Sequence, residues 1–276
     1  MRFLSSLLLL FFLASCGGPK EDKNTTEIET PTESNNTEVG LTWEKNGIKV
    51  YEALVEEEFQ EASIELVSPT VPSSGPTTFK FDVKNYDLGA QTSDADIRNC
   101  ANSGKGQHIH FIVNNQPYLA HYTDSFEVDM PEGTNVVLAF LSRSYHESIK
   151  TSDAHTVIKY GMGGQDMKEP LLFYSRPKGT YAGNDGKKLL LDFYLKNISL
   201  SEKGYQVRAT IDGETFMLPK WCPYFVEGLG VGEHSFQIEL LDDQGNPVSN
   251  FTTEDGMKSV GSFSNSGERI VTITAG

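Results

Sequence analysis

The chain has 276 residues, a formal net charge of −15, 38% hydrophobic residues and three cysteines. An acidic excess of this size keeps a protein soluble and excludes nucleic acid and anionic membrane surfaces as partners. It leaves room for a small anion in a local basic pocket.

Arg2 is followed by an apolar run, "FLSSLLLLFFLA", too short to span a bilayer as a mature helix. The run ends in "LASC", which resembles the bacterial lipoprotein signal. The resemblance implies a signal peptide over 1–15, lipidation of Cys16 and stable attachment to the membrane through that lipid alone. Residues 16–45 are Thr/Glu/Asn-rich and read as a flexible tether, because they offer too little apolar surface to offset chain entropy. Lys20-Glu21-Asp22 resembles the export tag of Bacteroidota surface lipoproteins, which implies an outer-membrane, surface-exposed protein. An ordinary charged linker is the alternative.

From residue 60 onward, short alternating or apolar runs are punctuated by Gly, Pro, Asn and Asp: "ASIELVSP", "TFKFDVKN", "QHIHFIVNN", "NVVLAFLS", then "LLFYSRP", "LLLDFYLKN", "YQVRATIDG", "HSFQIELLD" and "RIVTITA". Their length and their β-branched and aromatic content predict strands, and no segment holds a helical period. The series also repeats. "FDVKNYDL" matches "FYLKNISL", "GQHIHFIVNN" matches "GYQVRATIDG", "MPEGTNVVLAFLS" matches "LGVGEHSFQIELLD", and "ELVSP" matches "YSRP". The first copy carries an insertion, "GAQTSDADIRNCANSGK". The expectation is an all-β protein with two tandem immunoglobulin-like β-sandwiches, over 46–166 and 167–276.

The repeat says where the histidines point. Ile109, Phe111 and Val113 align with Val207, Ala209 and Ile211, so this apolar set faces the core. His108 and His110 therefore occupy the other face, where the second copy carries Gln206 and Arg208. There they line a ligand site, meet solvent or enter a domain interface. Histidines at i and i+2 of a strand converge on one metal when another segment adds a third, and His121 is the candidate for that third ligand to Cu or Zn. His146, Arg143, Tyr122 and Tyr145 fall in neighbouring segments, and with the three histidines they equally suit a carboxylate or phosphate.

The run "CANSGKGQHIHFIVNNQPYLAHYTDSFEV", with the later "FLSRSYHESIK", resembles uncharacterised Bacteroidota lipoproteins often labelled phosphopeptide-binding proteins. Residues 104–160 also resemble a secreted bacterial His-x-His domain of unknown function. The first resemblance implies ligand binding.

No Gly-x-Ser-x-Gly elbow or His-Glu-x-x-His motif is present, and Cys100 lies in an acidic loop that disfavours thiolate, so no enzyme is expected. Cys100 and Cys222 either form a disulfide between the two halves, closing a loop of about 120 residues, or stay as free thiols. "FMLPKWCPYFVEGL" reads as an interface segment or as an exposed aromatic patch. The expected function is a membrane-anchored, non-catalytic binding module for a small anion, a peptide or an envelope protein. Its alternatives are a Cu/Zn-binding envelope protein and a purely structural component.

Overall fold

The computed structural model describes residues 32–33, 39–53, 58–71, 74–160, 168–248 and 263–276. The expected signal peptide, Cys16, most of the tether and the expected junction after residue 166 fall outside them. The first strands are β1 (Thr32–Glu33), β2 (Val39–Lys45), β3 (Ile48–Ala53), β4 (Ser63–Ser68) and β5 (Gly75–Lys84). After one helical turn, α1 (Ala95–Arg98), come β6 (His108–Val113), β7 (Leu119–His121), β8 (Ser125–Met130), β9 (Asn135–Ser142) and β10 (His155–Tyr160). The second half contributes β11 (Leu171–Arg176), β12 (Gly179–Ala182), β13 (Lys188–Lys196), β14 (Gln206–Ile211), β15 (Glu214–Leu218), β16 (Tyr224–Glu227), β17 (Gly232–Leu241) and β18 (Arg269–Thr274). Among the described residues no helix is long and apolar enough to cross a membrane.

Two sandwiches follow from the pairing. In the first, sheet β4-β5-β8 faces sheet β10-β9-β6-β7. In the second, sheet β1-β2-β3-β16-β13-β11 faces sheet β12-β18-β17-β14-β15. Both copies use the same immunoglobulin-like pairings: β4–β5 corresponds to β11–β13, β6–β9 to β14–β17, and β5–β8 to β13–β16. The repeated Lys-Asn ends its strand identically in both copies, with Asn85 and Asn197 at φ 53° and 63°. Asparagine tolerates this left-handed backbone better than other side-chain-bearing residues.

The two cores are separate. Ile64, Phe79, Phe81, Ile109, Phe111 and Leu141 fill the first, and Leu172, Phe193, Val207, Ile238 and Val271 are among those filling the second. A third apolar layer joins them. Ile112, Val136, Leu138 and Phe140, from the outer face of the first sandwich, pack with Leu171, Phe173 and Tyr194 of the second. Every residue of β9 and of β11 is buried as a result. Outer strands such as β5 instead alternate buried and exposed positions, as a half-solvated strand must.

The expected start of the first sandwich is corrected here. Residues 39–45 are strand, not tether, and β3 pairs with β16, so the β2–β3 hairpin extends a sheet of the second sandwich rather than opening the first. The cause is local. Asn46-Gly47 turns the chain with φ 47° and 82°, and Trp43, Ile48 and Val50 bury in the second core. Cys100 and Cys222 are both free. Cys100 packs with Tyr51, Leu190 and Phe225, whereas Cys222 lies against the second core, so the two thiols belong to different apolar clusters.

Candidate metal centre

His108 and His110 point out of the first sandwich, as strand alternation requires, but not into solvent. Both are fully buried beneath the second sandwich. The third member of the cluster is His146. After β9 the chain makes a tight turn, with the Arg143 amide donating to the Glu147 carbonyl at 2.8 Å and the His146 amide to the Arg143 carbonyl at 2.9 Å. His146 stands on this turn at φ 72°, a conformation uncommon for a residue with a side chain and characteristic of functional sites.

The ring nitrogens converge. His108 Nε2 lies 2.9 Å from His110 Nε2 and 3.1 Å from His146 Nδ1, and one ligand atom from each ring falls within 4.8 Å of the others. Three nitrogens on a tetrahedral zinc stand ~3.3 Å apart for bonds of ~2.0–2.1 Å, so His108 Nε2 need open from each of its two neighbours by only a few tenths of an ångström. The outer nitrogens are already committed. His108 Nδ1 donates to the Gly106 carbonyl at 2.8 Å, which turns the Nε2 lone pair toward His110 and His146. His110 Nδ1 meets Ser175 Oγ of β11 at 3.1 Å. Such outer partners orient metal-binding imidazoles and fix their tautomers. Gly106 cannot be replaced without cost: at φ +85°, a Cβ there would stand 2.3 Å from the Gly89 carbonyl oxygen.

Aromatic groups wall the cluster. The Tyr118 ring stacks on His110 at 3.6 Å, and its hydroxyl lies 3.3 Å from His146 Nδ1. Tyr122 lies 5.0 Å from the His108 ring and its hydroxyl pairs with Ser103 at 2.8 Å.

The other expected site residues lie elsewhere. His121 pairs in register with Ile109, so it faces the first core, on the side of the sheet away from His108 and His110. It stacks on Phe126 at 3.5 Å and is no metal ligand in this fold. Arg143 pairs with Glu58 at 2.9 Å and Glu147 at 3.3 Å, and the Tyr145 hydroxyl donates to Asp94 at 3.2 Å. These two residues build an internal ionic network rather than a ligand wall. Sequence reasoning missed Ser175, Arg176 and Lys178, which arrive from the second copy. Their one signal is polar "SR" ending the otherwise apolar "LLFYSR".

Burial pushes the His108 and His121 imidazoles down to about 4, and lowers those of His110, His146 and His155. An unfolded histidine titrates near 6.5, so below that pH the unfolded chain takes up protons that the folded one refuses. The stability contributed by neutral histidines is thus complete above about pH 6.5 and lost as the pH falls toward 4. Glu147 pulls the other way: burial outweighs the Arg143 charge and holds its carboxyl up to about 7. Five lowered histidines against this carboxyl and His234, where burial is outweighed by the Asp212 hydrogen bond and the imidazole is raised, leave a net acid sensitivity. Melting of the metal-free protein is expected to fall steeply between pH 6.5 and 4.5. A flat profile over that range contradicts burial of the neutral rings.

No family model matches the chain, and no curated protein matches it. Solved structures resembling it include the fibronectin(III)-like modules of Clostridium thermocellum CbhA, at 11% identity and TM-score 0.27, over 77% of this chain and 94% of that one. Dimeric latent PorU from Porphyromonas gingivalis matches at 12% identity and TM-score 0.23, over 80% of this chain and 21% of that one. Bacteroides ovatus SGBP-B, from a mixed-linkage glucan utilization locus and in complex with a mixed-linkage heptasaccharide, matches at 8% identity and TM-score 0.20, over 77% and 70%.

Proposed function

We propose that the protein is a lipid-anchored envelope module that binds one late first-row transition metal ion, zinc or copper, between its two sandwiches. The observation that carries this reading is the convergence of His108 Nε2, His110 Nε2 and His146 Nδ1. Neutral imidazole suits zinc and copper, whereas magnesium and calcium demand oxygen. The low proton affinity of these rings keeps them ready to bind at neutral pH. With three protein ligands, the ion keeps a fourth position for another group. Anchoring through Cys16 places the site in the cell envelope, where a buried site stores or hands on metal without needing catalysis.

Calorimetric titration of the chelator-stripped protein with Zn²⁺ or Cu²⁺ is expected to show one equivalent bound tightly. His121→Phe serves as the discriminating variant, because phenylalanine keeps the stack on Phe126. It is expected to bind metal as the native chain does. Loss of binding in His121→Phe, or no stoichiometric binding by the native protein, overturns the assignment.

A further inference from the structure

Half-buried Arg269 and Lys188 are held by backbone carbonyls, and several other buried and half-buried cations have carboxylate partners. Arg98 pairs with Asp94, Lys150 with Asp192 and Arg208 with Glu239. Arg176 and Lys178 do not: no carboxylate of the described residues forms an ion pair with either. Arg176 is 7% exposed, its Nη1 donates to the Tyr181 hydroxyl at 2.7 Å, and its Nε is buried with no partner. Lys178 Nζ donates to the Tyr118 carbonyl at 2.6 Å and stands 3.7 Å over the Tyr118 ring, with Arg176 Cζ 5.4 Å from the same ring. His110 covers the other face of that ring. Two unpaired cations therefore border the three histidines, in a chain of net charge −15.

Neutral imidazoles leave a bound dication with its full charge. Beside buried Arg176 and half-buried Lys178, that charge is repelled unless an anion lies between them. Arginine presents donors in a fork suited to oxyanions, and the unused Arg176 Nε belongs to that fork. We propose that the metal held by His108, His110 and His146 takes an oxyanion, carboxylate or phosphoryl, as its fourth ligand, and that Arg176 and Lys178 hold the oxyanion's remaining oxygens. The inference rests on the metal reading above. Metal and oxyanion then bind cooperatively, each raising the affinity for the other by the same factor.

The test is zinc titration of the metal-free protein in bicarbonate-free HEPES–perchlorate, repeated with acetate and with methylphosphonate. At least one of these anions is expected to tighten zinc binding by about tenfold or more, within the usual range of coupling between sites. A gain with acetate alone identifies a carboxylate ligand, and a larger gain with methylphosphonate a phosphoryl one. Lys178→Ala, at a partly exposed position, is expected to lose most of the gain while binding zinc more tightly in perchlorate, because a repelling charge has gone. A merely structural lysine does not move the two quantities in opposite directions. One equivalent of zinc bound equally well in all three buffers overturns the oxyanion and leaves the metal reading standing. No zinc bound in any buffer overturns both.

Discussion

Replacing His110 with phenylalanine is expected to weaken metal binding by on the order of a hundredfold or more while leaving the fold in place. Apparent binding energies of structural zinc sites are ~10–16 kcal/mol, so one ligand of four carries roughly 2–4 kcal/mol, about thirtyfold to a thousandfold in affinity. Phenylalanine suits the test because the imidazole lies between aromatic neighbours. It is stacked on Tyr118 at 3.6 Å, and its centroid is 4.9 Å from that of Phe140. An alanine would open a cavity there and mix folding with binding. The phenyl ring keeps the packing and loses the Nε2 ligand and the Ser175 contact, which costs about 1 kcal/mol of stability for one orphaned hydroxyl. Competition with a chromogenic chelator measures the affinity, and a thermal melt checks the fold. A variant that melts like the native protein and binds metal within threefold of it sinks the tri-histidine centre.

How far the sequence carried this site depends on parity. His108 and His110 share a face because they are two residues apart on one strand, and that needs no structure. The third histidine needs the register between β6 and β7. His121 pairs with Ile109, an inward residue; a connection one residue shorter or longer would have turned it toward His110. Nothing in "VNNQPYLAH" decides that parity, whereas the position of His146 is set by a turn with a left-handed residue that composition alone does not announce. The fold was more readable. Period-two runs marked most strands, and the Lys-Asn-x-x-Leu repeat marked equivalent positions, where both copies end a strand on a left-handed asparagine. Two available signals went unused. "VGLTWEKNGIKV" alternates Val39, Leu41 and Trp43 before an Asn-Gly turn, a hairpin pattern hidden by the polar residues on either side. Continuously apolar "NVVLAFLS" and "LLFYSR" report burial on both faces, which a free-standing two-sheet sandwich does not require. That excess is the trace of the interface that buries the histidines.

The interface also contains its most sensitive point, and Asp192→Ala is expected to destabilise the protein by about 3–5 kcal/mol. Asp192, on β13 of the second sandwich, is fully buried. It accepts the Ser148 amide at 3.1 Å and Lys150 Nζ at 2.5 Å, both from the first sandwich. The Lys150 side chain is only 9% exposed and stands 5.8 Å from the Tyr194 ring. Removing the carboxylate strands an ammonium among aromatic rings, a cost much larger than the net worth of the pair. For a protein of this size the loss corresponds to roughly 6–20 °C in melting temperature. Lys150→Met removes the charge and keeps the stem, so the double variant Asp192→Ala/Lys150→Met is expected to melt well above Asp192→Ala alone. Equal melting of the single and double variants shows that no uncompensated charge was left and refutes the account. The same aspartate steadies the metal site, since its Ser148 contact holds the end of the turn that carries His146. Metal affinity in Asp192→Ala is therefore expected to fall as well, through the turn and not through contact with any of the three rings.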